Sequence, residues 1–314
     1  MNVLNEKESA LPKASVRETL EFVAVWLLVR LLGLFPRPLA RWVGAGIGRT
    51  AYAGLSRLRK VGANNLALAF PEKSAEARED LLAGEYRNLG HLLAEFCLMP
   101  GYTPQQASEF IRYDGLENYL QARDRGKGVL VLTGHLGAWE LSSFYHSLMG
   151  YPMGMVIRRL DNPLVDQFVN NIRCLHGNRV IHKDDFARGL IASMRAGETV
   201  GILMDTNMTP PQGVFVPFFG VEACTASGMA RVAARTGAAV VPGFLLWEES
   251  EQKYVLHFGK EIPVINTGDA ENDALENTAN FTGVIESYIR RYPDQWLWMH
   301  RRWKTRPAGE KGIY

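Results

Sequence analysis

The chain is short of cysteine, of net charge and of long apolar runs, and each shortage excludes something. Its three cysteines, Cys97, Cys174 and Cys224, stand far apart and form no CxxC pair. That leaves no basis for a disulfide framework or a zinc site, and it suits a reducing, cytoplasm-facing location. The 35 basic residues nearly balance the 33 acidic ones, for a net charge of +2. Bulk charge therefore excludes a strongly basic nucleic-acid binder and a disordered acidic chain. With 30 Gly, 15 Pro and 7 Trp the chain is neither low-complexity nor coiled coil. What is present is 314 residues at 47% hydrophobic, enough to bury a full core in one large or two ordinary domains.

One absence is local. No Asp or Glu occurs from Phe22 to Pro71, while Arg30, Arg37, Arg41, Arg49, Arg57, Arg59 and Lys60 all fall there. The tail is basic too, with Arg301, Arg302, Lys304 and Arg306, and acids gather around Glu72–Glu85, Glu248–Glu251 and Asp269–Glu276. Such polarity suggests an anionic surface as partner. Within the acid-free stretch Phe22–Phe35 reads FVAVWLLVRLLGLF, broken only by Arg30. It is shorter than the ~20 residues a spanning helix needs, and Glu21 blocks its extension upstream. Glu6, Lys7, Glu8, Lys13 and Arg17 precede it without a clean cleavage site, unlike a signal peptide. A buried core helix is the plain alternative. The basic stretch downstream favours a helix that dips into or lies on a membrane, with Trp26 at the interface. Gly44, Gly46 and Gly48 do not meet the spacing of a nucleotide loop, and small residues spaced so let helices pack closely.

Beyond Pro71 the pattern becomes regular. Ser74 can cap a Glu-rich helix whose apolar face runs through Tyr86, Leu89, Leu92, Leu93 and Phe96. Strands are expected at Val129–Thr133, Met153–Ile157, Arg179–Ile181, Thr199–Met204, Ala239–Trp247 and Tyr254–Phe258. Helices are expected at Ala138–Met149, Pro163–Leu175, Asp184–Ala196, Ala223–Thr236 and Asp273–Tyr292. Repeated βα units predict an α/β fold: one domain with a central, mostly parallel sheet flanked by helices. The expected division is an N-terminal membrane-associated helical region, 1–60, and an α/β domain, 61–314.

The segment that carries chemistry is GVLVLTGHLGAWE, residues 128–140. A buried strand ends at Thr133, and His135 follows at the edge where open α/β sheets bind ligands. Glu140 lies five residues on, so the two side chains meet only if the chain turns at Gly137 before the helix begins. A His held by a carboxylate through one ring nitrogen leaves the other free as a general base. A strand-end His beside a helix, with Glu140 as a first-turn carboxylate, fits the spacing equally well. No HExxH and no further His or Cys at ligand spacing supports a metal.

HLGAWE matches the HX4E form of the HX4(D/E) motif, and the chain around it resembles the bacterial lipid A biosynthesis (lauroyl/myristoyl) acyltransferases. It is also similar to the mycobacterial phosphatidylinositol mannoside acyltransferases. The likeness covers nearly the whole chain, through NLALAFPE (65–72), GLENYLQARDRGKGVLVLTGHLGAWE (115–140) and RRLDNPLVDQFV (158–169). It continues in GILMDTNM (201–208), GVFVPFFG (213–220), TGAAVVP (236–242) and QWLWMHRRWKTRP (295–307). Ala138 stands where the family commonly has Asn, and Thr206 where it commonly has Gln.

The resemblance implies a glycerol-phosphate acyltransferase-like fold and fatty acyl transfer from a thioester, on acyl carrier protein or CoA, to a hydroxyl of an anionic glycolipid such as a lipid A precursor. It implies no cofactor and a place on the cytoplasmic face of the inner membrane. His135 would deprotonate the hydroxyl while Glu140 fixes its tautomer. Arg158 and Asp205 each follow a predicted strand. Arg158 would hold the thioester oxyanion or an acceptor phosphate, and Asp205 the acceptor hydroxyl or Arg158; a surface ion pair and a loop cap are their plain alternatives. Thr225 and Ser227 would cap the next helix or touch a phosphate. Trp296, Trp298 and Trp303 are expected in core and interface, with the neighbouring arginines facing lipid phosphate or carrier protein. Phe215, Phe218 and Phe219 would line an acyl tunnel or pack the core. Competing readings are a glycerophospholipid or mannoside-type acyltransferase, a thioesterase-like hydrolase and a non-catalytic lipid-binding module. The absence of a GxSxG elbow disfavours a serine acyl-enzyme.

Overall fold

The computed structural model describes residues 14–182 and 186–314. Four helices lead: α1 (Val16–Gly33), α2 (Arg37–Gly54), α3 (Ser56–Ala69) and α4 (Ala75–Leu98). Ser15 and Glu18 cap α1 reciprocally, and Ser74 caps α4. Proline closes α1 and opens α2 by the same rule: it lacks an N–H, but its fixed φ suits a first helical turn. α2 lies directly on α4, because a Cβ on Gly44 would overlap the Gly90 carbonyl and one on Gly90 the Gly44 carbonyl. Gly48 makes the same close approach to Tyr86, whereas Gly46 faces open space. Arg37 and Arg41 of α2 both pair with the fully buried Glu95 of α4, at 2.7 and 2.8 Å. The expected division at residue 60 falls within α3.

The rest of the chain builds a seven-stranded sheet. In chain order its elements are α5 (Pro104–Phe110), β1 (Ile111–Asp114), α6 (Leu116–Asp124), β2 (Val129–Thr133), α7 (Trp139–Leu148) and β3 (Gly154–Ile157). They continue with α8 (Pro163–Arg173), β4 (Arg179–His182), α9 (Phe186–Arg195), β5 (Thr199–Leu203), the hairpin β6 (Gly213–Phe218) and β7 (Val221–Ala226), and α10 (Gly228–Thr236). β8 (Ala239–Glu248), β9 (Lys253–Phe258) and α11 (Ala270–Arg291) complete the series. The strand order is β1-β9-β8-β2-β5-β3-β4, with every pair parallel except β8–β9. β2 and β5 are almost wholly apolar because helices cover both faces. The single α/β domain with a mostly parallel sheet is as the βα alternation predicts.

Three expectations fail locally. Ala223–Ala226 is not the start of a helix but the end of β7, and α10 begins at Gly228. β6 and β7 turn tightly at Phe219 and Gly220, both at positive φ (54° and 75°), as a two-residue hairpin turn demands. The four-residue edge strand β1 has too few residues to show alternation. The expected start of a helix at Asp184 lies outside the described residues. Among the described residues no helix is long and apolar enough to cross a membrane.

Candidate active site

The register of two neighbouring strands builds the site. Thr133 at the end of β2 pairs with Leu203 at the end of β5, and the strands are parallel. His135 and Asp205 each lie two residues further, so the chain delivers them side by side at the carboxyl edge. His135 Nδ1 lies 2.9 Å from Asp205 Oδ1, and the His135 backbone N–H donates to Oδ2 at 2.7 Å. The Trp296 indole N–H donates to the same Oδ2 at 2.8 Å. Asp205 is fully enclosed, and burial alone would raise its pKa. The facing His135 ring and the three hydrogen bonds outweigh burial and hold the carboxyl at about 2. For His135 the balance is similar: burial pulls its pKa down, but Asp205 and the more distant Glu140 carry it above the usual 6.5. The His135 side chain keeps 26% of its surface, and Nε2 has no partner among the described residues. The Trp139 ring packs edge-on against it at 5.3 Å.

The sequence pairs His135 with Glu140; the structure pairs it with Asp205. Gly137 does turn the chain, at φ 67°, as that reading requires. The turn starts α7 at Trp139 and sends Glu140 toward α8, where Arg173 grips its carboxylate with two bonds, at 2.8 Å from Nε and 2.5 Å from Nη2. Glu140 and Arg173 line a cavity of about 60 Å³, several times what one water needs (~10–15 Å³). Thr133, Ile157 and Leu203 line it at the strand ends, Val131 and Met153 deeper between sheet and α7. Phe258 and the buried His146 also line it, and His146 Nε2 has no partner among the described residues.

The other expected site residues go elsewhere. Arg158 follows β3 on the same edge, but its side chain is 74% exposed and pairs with Asp161 at 2.9 Å rather than reaching His135. Thr225 neither caps a helix nor faces a phosphate. It is buried in β7, donates to the Ala223 carbonyl and accepts from Arg302. Ser227 precedes α10 but bonds the Gln212 carbonyl instead of capping. Trp296, Trp298 and Trp303 are core, at 0–1% exposure; Trp296 and Trp303 pack on Phe218, and Trp298 packs on Trp296 and Phe219. That places Phe218 and Phe219 in the core and away from the cavity. Arg302 faces no lipid. It is fully buried, bonds the Cys224 carbonyl at 3.0 Å, and burial pulls its pKa down to about 10. The sequence reading does not include Arg173 or His300, nor the bond from Trp296 to Asp205. Only the register of β2 on β5 could have announced Asp205 as the partner of His135, and that needs the strand order.

The sequence model of the family described as bacterial lipid A biosynthesis acyltransferases matches residues 11–305. Among curated proteins, the chain is 30% identical over 291 residues to the lipid A biosynthesis palmitoleoyltransferase of Escherichia coli (strain K12), covering 92% of each. It is 28% identical over 293 residues to the lipid A biosynthesis lauroyltransferase of the same organism, again covering 92% of each. A lipid A biosynthesis acyltransferase of Haemophilus influenzae is 27% identical over 271 residues, or 85% of this chain and 81% of that one.

Proposed function

Since the chain belongs to the bacterial lipid A biosynthesis acyltransferase family, and so is an O-acyltransferase, we propose that it moves a fatty acyl group from acyl carrier protein to a hydroxyl of a lipid A precursor. The observation that carries this reading is the His135–Asp205 pair at the strand ends, with the His135 ring against Trp139, which lines the apolar cavity. The acyl chain lies in the cavity under α7, where Met153 and Met155 can shift to widen it. The acceptor hydroxyl gives its proton to His135 Nε2 as its oxygen attacks the thioester carbon. The carbonyl electrons move onto oxygen and return as the C–S bond breaks, and the imidazolium then protonates the leaving thiolate. Asp205 stabilises the imidazolium and fixes the Nδ1–H tautomer, the role that the family resemblance gave to Glu140. Glu140 holds Arg173 beside the cavity and adds a weaker field at His135. Arg158 and Arg159, exposed on the same edge, meet the acidic carrier protein.

Residues 1–60 form the membrane-facing region of the proposed enzyme, on the cytoplasmic side of the inner membrane. Support comes from the apolar side chains that α1 and α2 leave in solvent. Leu34 is 78% exposed, Trp42 68%, Leu20 66% and Leu31 57%, with the exposed cations Arg30, Arg49, Arg57 and Lys60 among them. Such a surface lies on anionic lipid without spanning it. The deciding assay incubates purified protein with acyl carrier protein thioester, with and without the lipid A precursor. Acceptor-dependent transfer is expected. Acyl release without acceptor would make the protein a hydrolase, and no turnover would make it a binding module.

A further inference from the structure

A segment from Gln295 to Thr305 lies across the catalytic edge like a strap. The Gln295 carbonyl accepts from the Gly137 amide at 3.0 Å, and the Leu297 amide donates to the His135 carbonyl at 3.0 Å. Trp296 holds Asp205, and Thr305 exchanges two hydrogen bonds with Asn207, at 2.9 and 3.0 Å. Asn65 of α3 fixes the strap from below through the Trp298 and His300 carbonyls, at 2.7 and 2.8 Å. His300 is thus set beside the loop that carries Asp205, and it is half-buried.

The state of its ring follows from one contact. The Asn207 backbone amide donates to His300 Nε2 at 3.0 Å. An amide N–H can only donate, so Nε2 is the acceptor and the ring proton sits on Nδ1. Nδ1–H has no partner among the described residues. Burial, with the positive charges of His135 and Arg302 and against the pull of Asp205, drives the ring's pKa down to about 4, so it stays neutral at working pH. Three nearby arginines are committed: Arg302 to Cys224 and Thr225, Arg173 to Glu140, Arg158 to Asp161.

Resting on the acyl-transfer reading above, we propose that His300 is a further catalytic residue, whose Nδ1–H binds the oxygen of the thioester carbonyl as negative charge develops there. The reaction needs such a donor, because attack by the acceptor oxygen puts the carbonyl electron pair onto that oxygen. A neutral imidazole can serve as the electrophile. It also spares the site a fixed cation, which would depress the basicity of His135 next to it.

Two near-isosteric replacements separate this role from simple anchoring. In His300→Asn the side-chain NH2 falls near the Nδ1 position, so a donor survives while the acceptor for Asn207 is lost. In His300→Gln the amide oxygen can still accept from Asn207, but nothing donates from the Nδ1 position. The expected result in the carrier-protein assay is a kcat fall of about 10²-fold for Gln, the usual cost of one oxyanion donor, with KM and Tm near wild type. Asn should keep kcat within about tenfold of wild type. Nitrogen NMR of the wild-type ring should report the Nδ1–H tautomer. The proposal is overturned if Gln turns over like wild type, if Asn falls as far as Gln or further, or if the ring carries its proton on Nε2. Failure of the wild-type protein to transfer acyl groups at all would refute the activity itself, an outcome distinct from each of these.

Discussion

Two regions of this molecule invert the usual rule in opposite senses. Along α1 and α2 large apolar side chains face outward; α1 buries only Val29 and Leu32 of its apolar residues. At the carboxyl edge of β2 and β5 charge goes inward: Asp205 is 3% exposed and Arg302 not at all. An exposed apolar face is costly in water and favourable at lipid, which is the solvent the proposed function gives the first region. A buried charge is tolerable only when its polar atoms have partners, and both oxygens of Asp205 are engaged. One region is shaped by what it will touch, the other by what it must hold still. Substitutions should therefore damage them in different measurable ways.

The largest effect should come from His135→Ala. It removes the proton acceptor and little packing, so turnover should fall by about 10⁴-fold, the upper end for a general base, with Tm nearly unchanged. Near wild-type turnover in a folded variant would falsify the proposed mechanism.

Asp205→Asn and Glu140→Gln ask which acid serves His135. Loss of the Asp205 charge leaves burial largely unopposed, so the His135 pKa should drop. The acid limb of the kcat/KM profile, set by deprotonation of the base, should then shift to lower pH while its plateau falls by about 10²–10³-fold. In Glu140→Gln the half-buried Arg173 loses its carboxylate, which should lower Tm and activity together. Its acid limb should move less than that of Asp205→Asn. The reverse ranking of the two pH shifts would restore Glu140 as the partner of His135.

Changing Leu31, Leu34 and Trp42 together to Asp should leave kcat on detergent-dispersed substrate intact and abolish binding to anionic vesicles. Each buried apolar side chain is worth about 1.5–3 kcal/mol, so three should weaken partitioning by well over 100-fold. Wild-type binding that resists salt but vanishes in this variant places the affinity in the apolar face. Persistent but salt-sensitive binding in the variant would move it to Arg49, Arg57 and Lys60.

How much of this was legible in the sequence follows from the range of each signal. The strands and helices of the sheet are repeated local patterns, and Gly137 announces its own turn, so both were readable. The β6–β7 hairpin was hidden because Ala223, Cys224 and Ala226 suit a helix as well, and only the Phe219–Gly220 turn settles the matter. The partner of His135 was not legible: Asp205 is 70 residues away and reaches it only because β5 is inserted beside β2. The family motif favoured the near acid, and tertiary structure delivered the far one. Arg302 misleads for the same reason, since nothing local says that a basic tail folds beneath the core.

The smallest expected effect is at Arg158, where the two regions meet in kind: a charged side chain on the catalytic edge that nonetheless faces water. Its partner Asp161 is 94% exposed, and such pairs contribute little to stability. Arg158→Lys should therefore match wild type in kcat and Tm, because charge without fork geometry suffices at a solvated rim. Arg158→Glu should raise KM for the carrier-protein thioester several-fold and flatten its dependence on salt, with kcat unchanged, as expected of a charge that steers docking. A fall of about 100-fold in kcat for Arg158→Lys would mean that the arginine swings from Asp161 onto the reacting oxygens when substrate binds. In that event Arg158, rather than a group already held in the site, would supply the decisive charge.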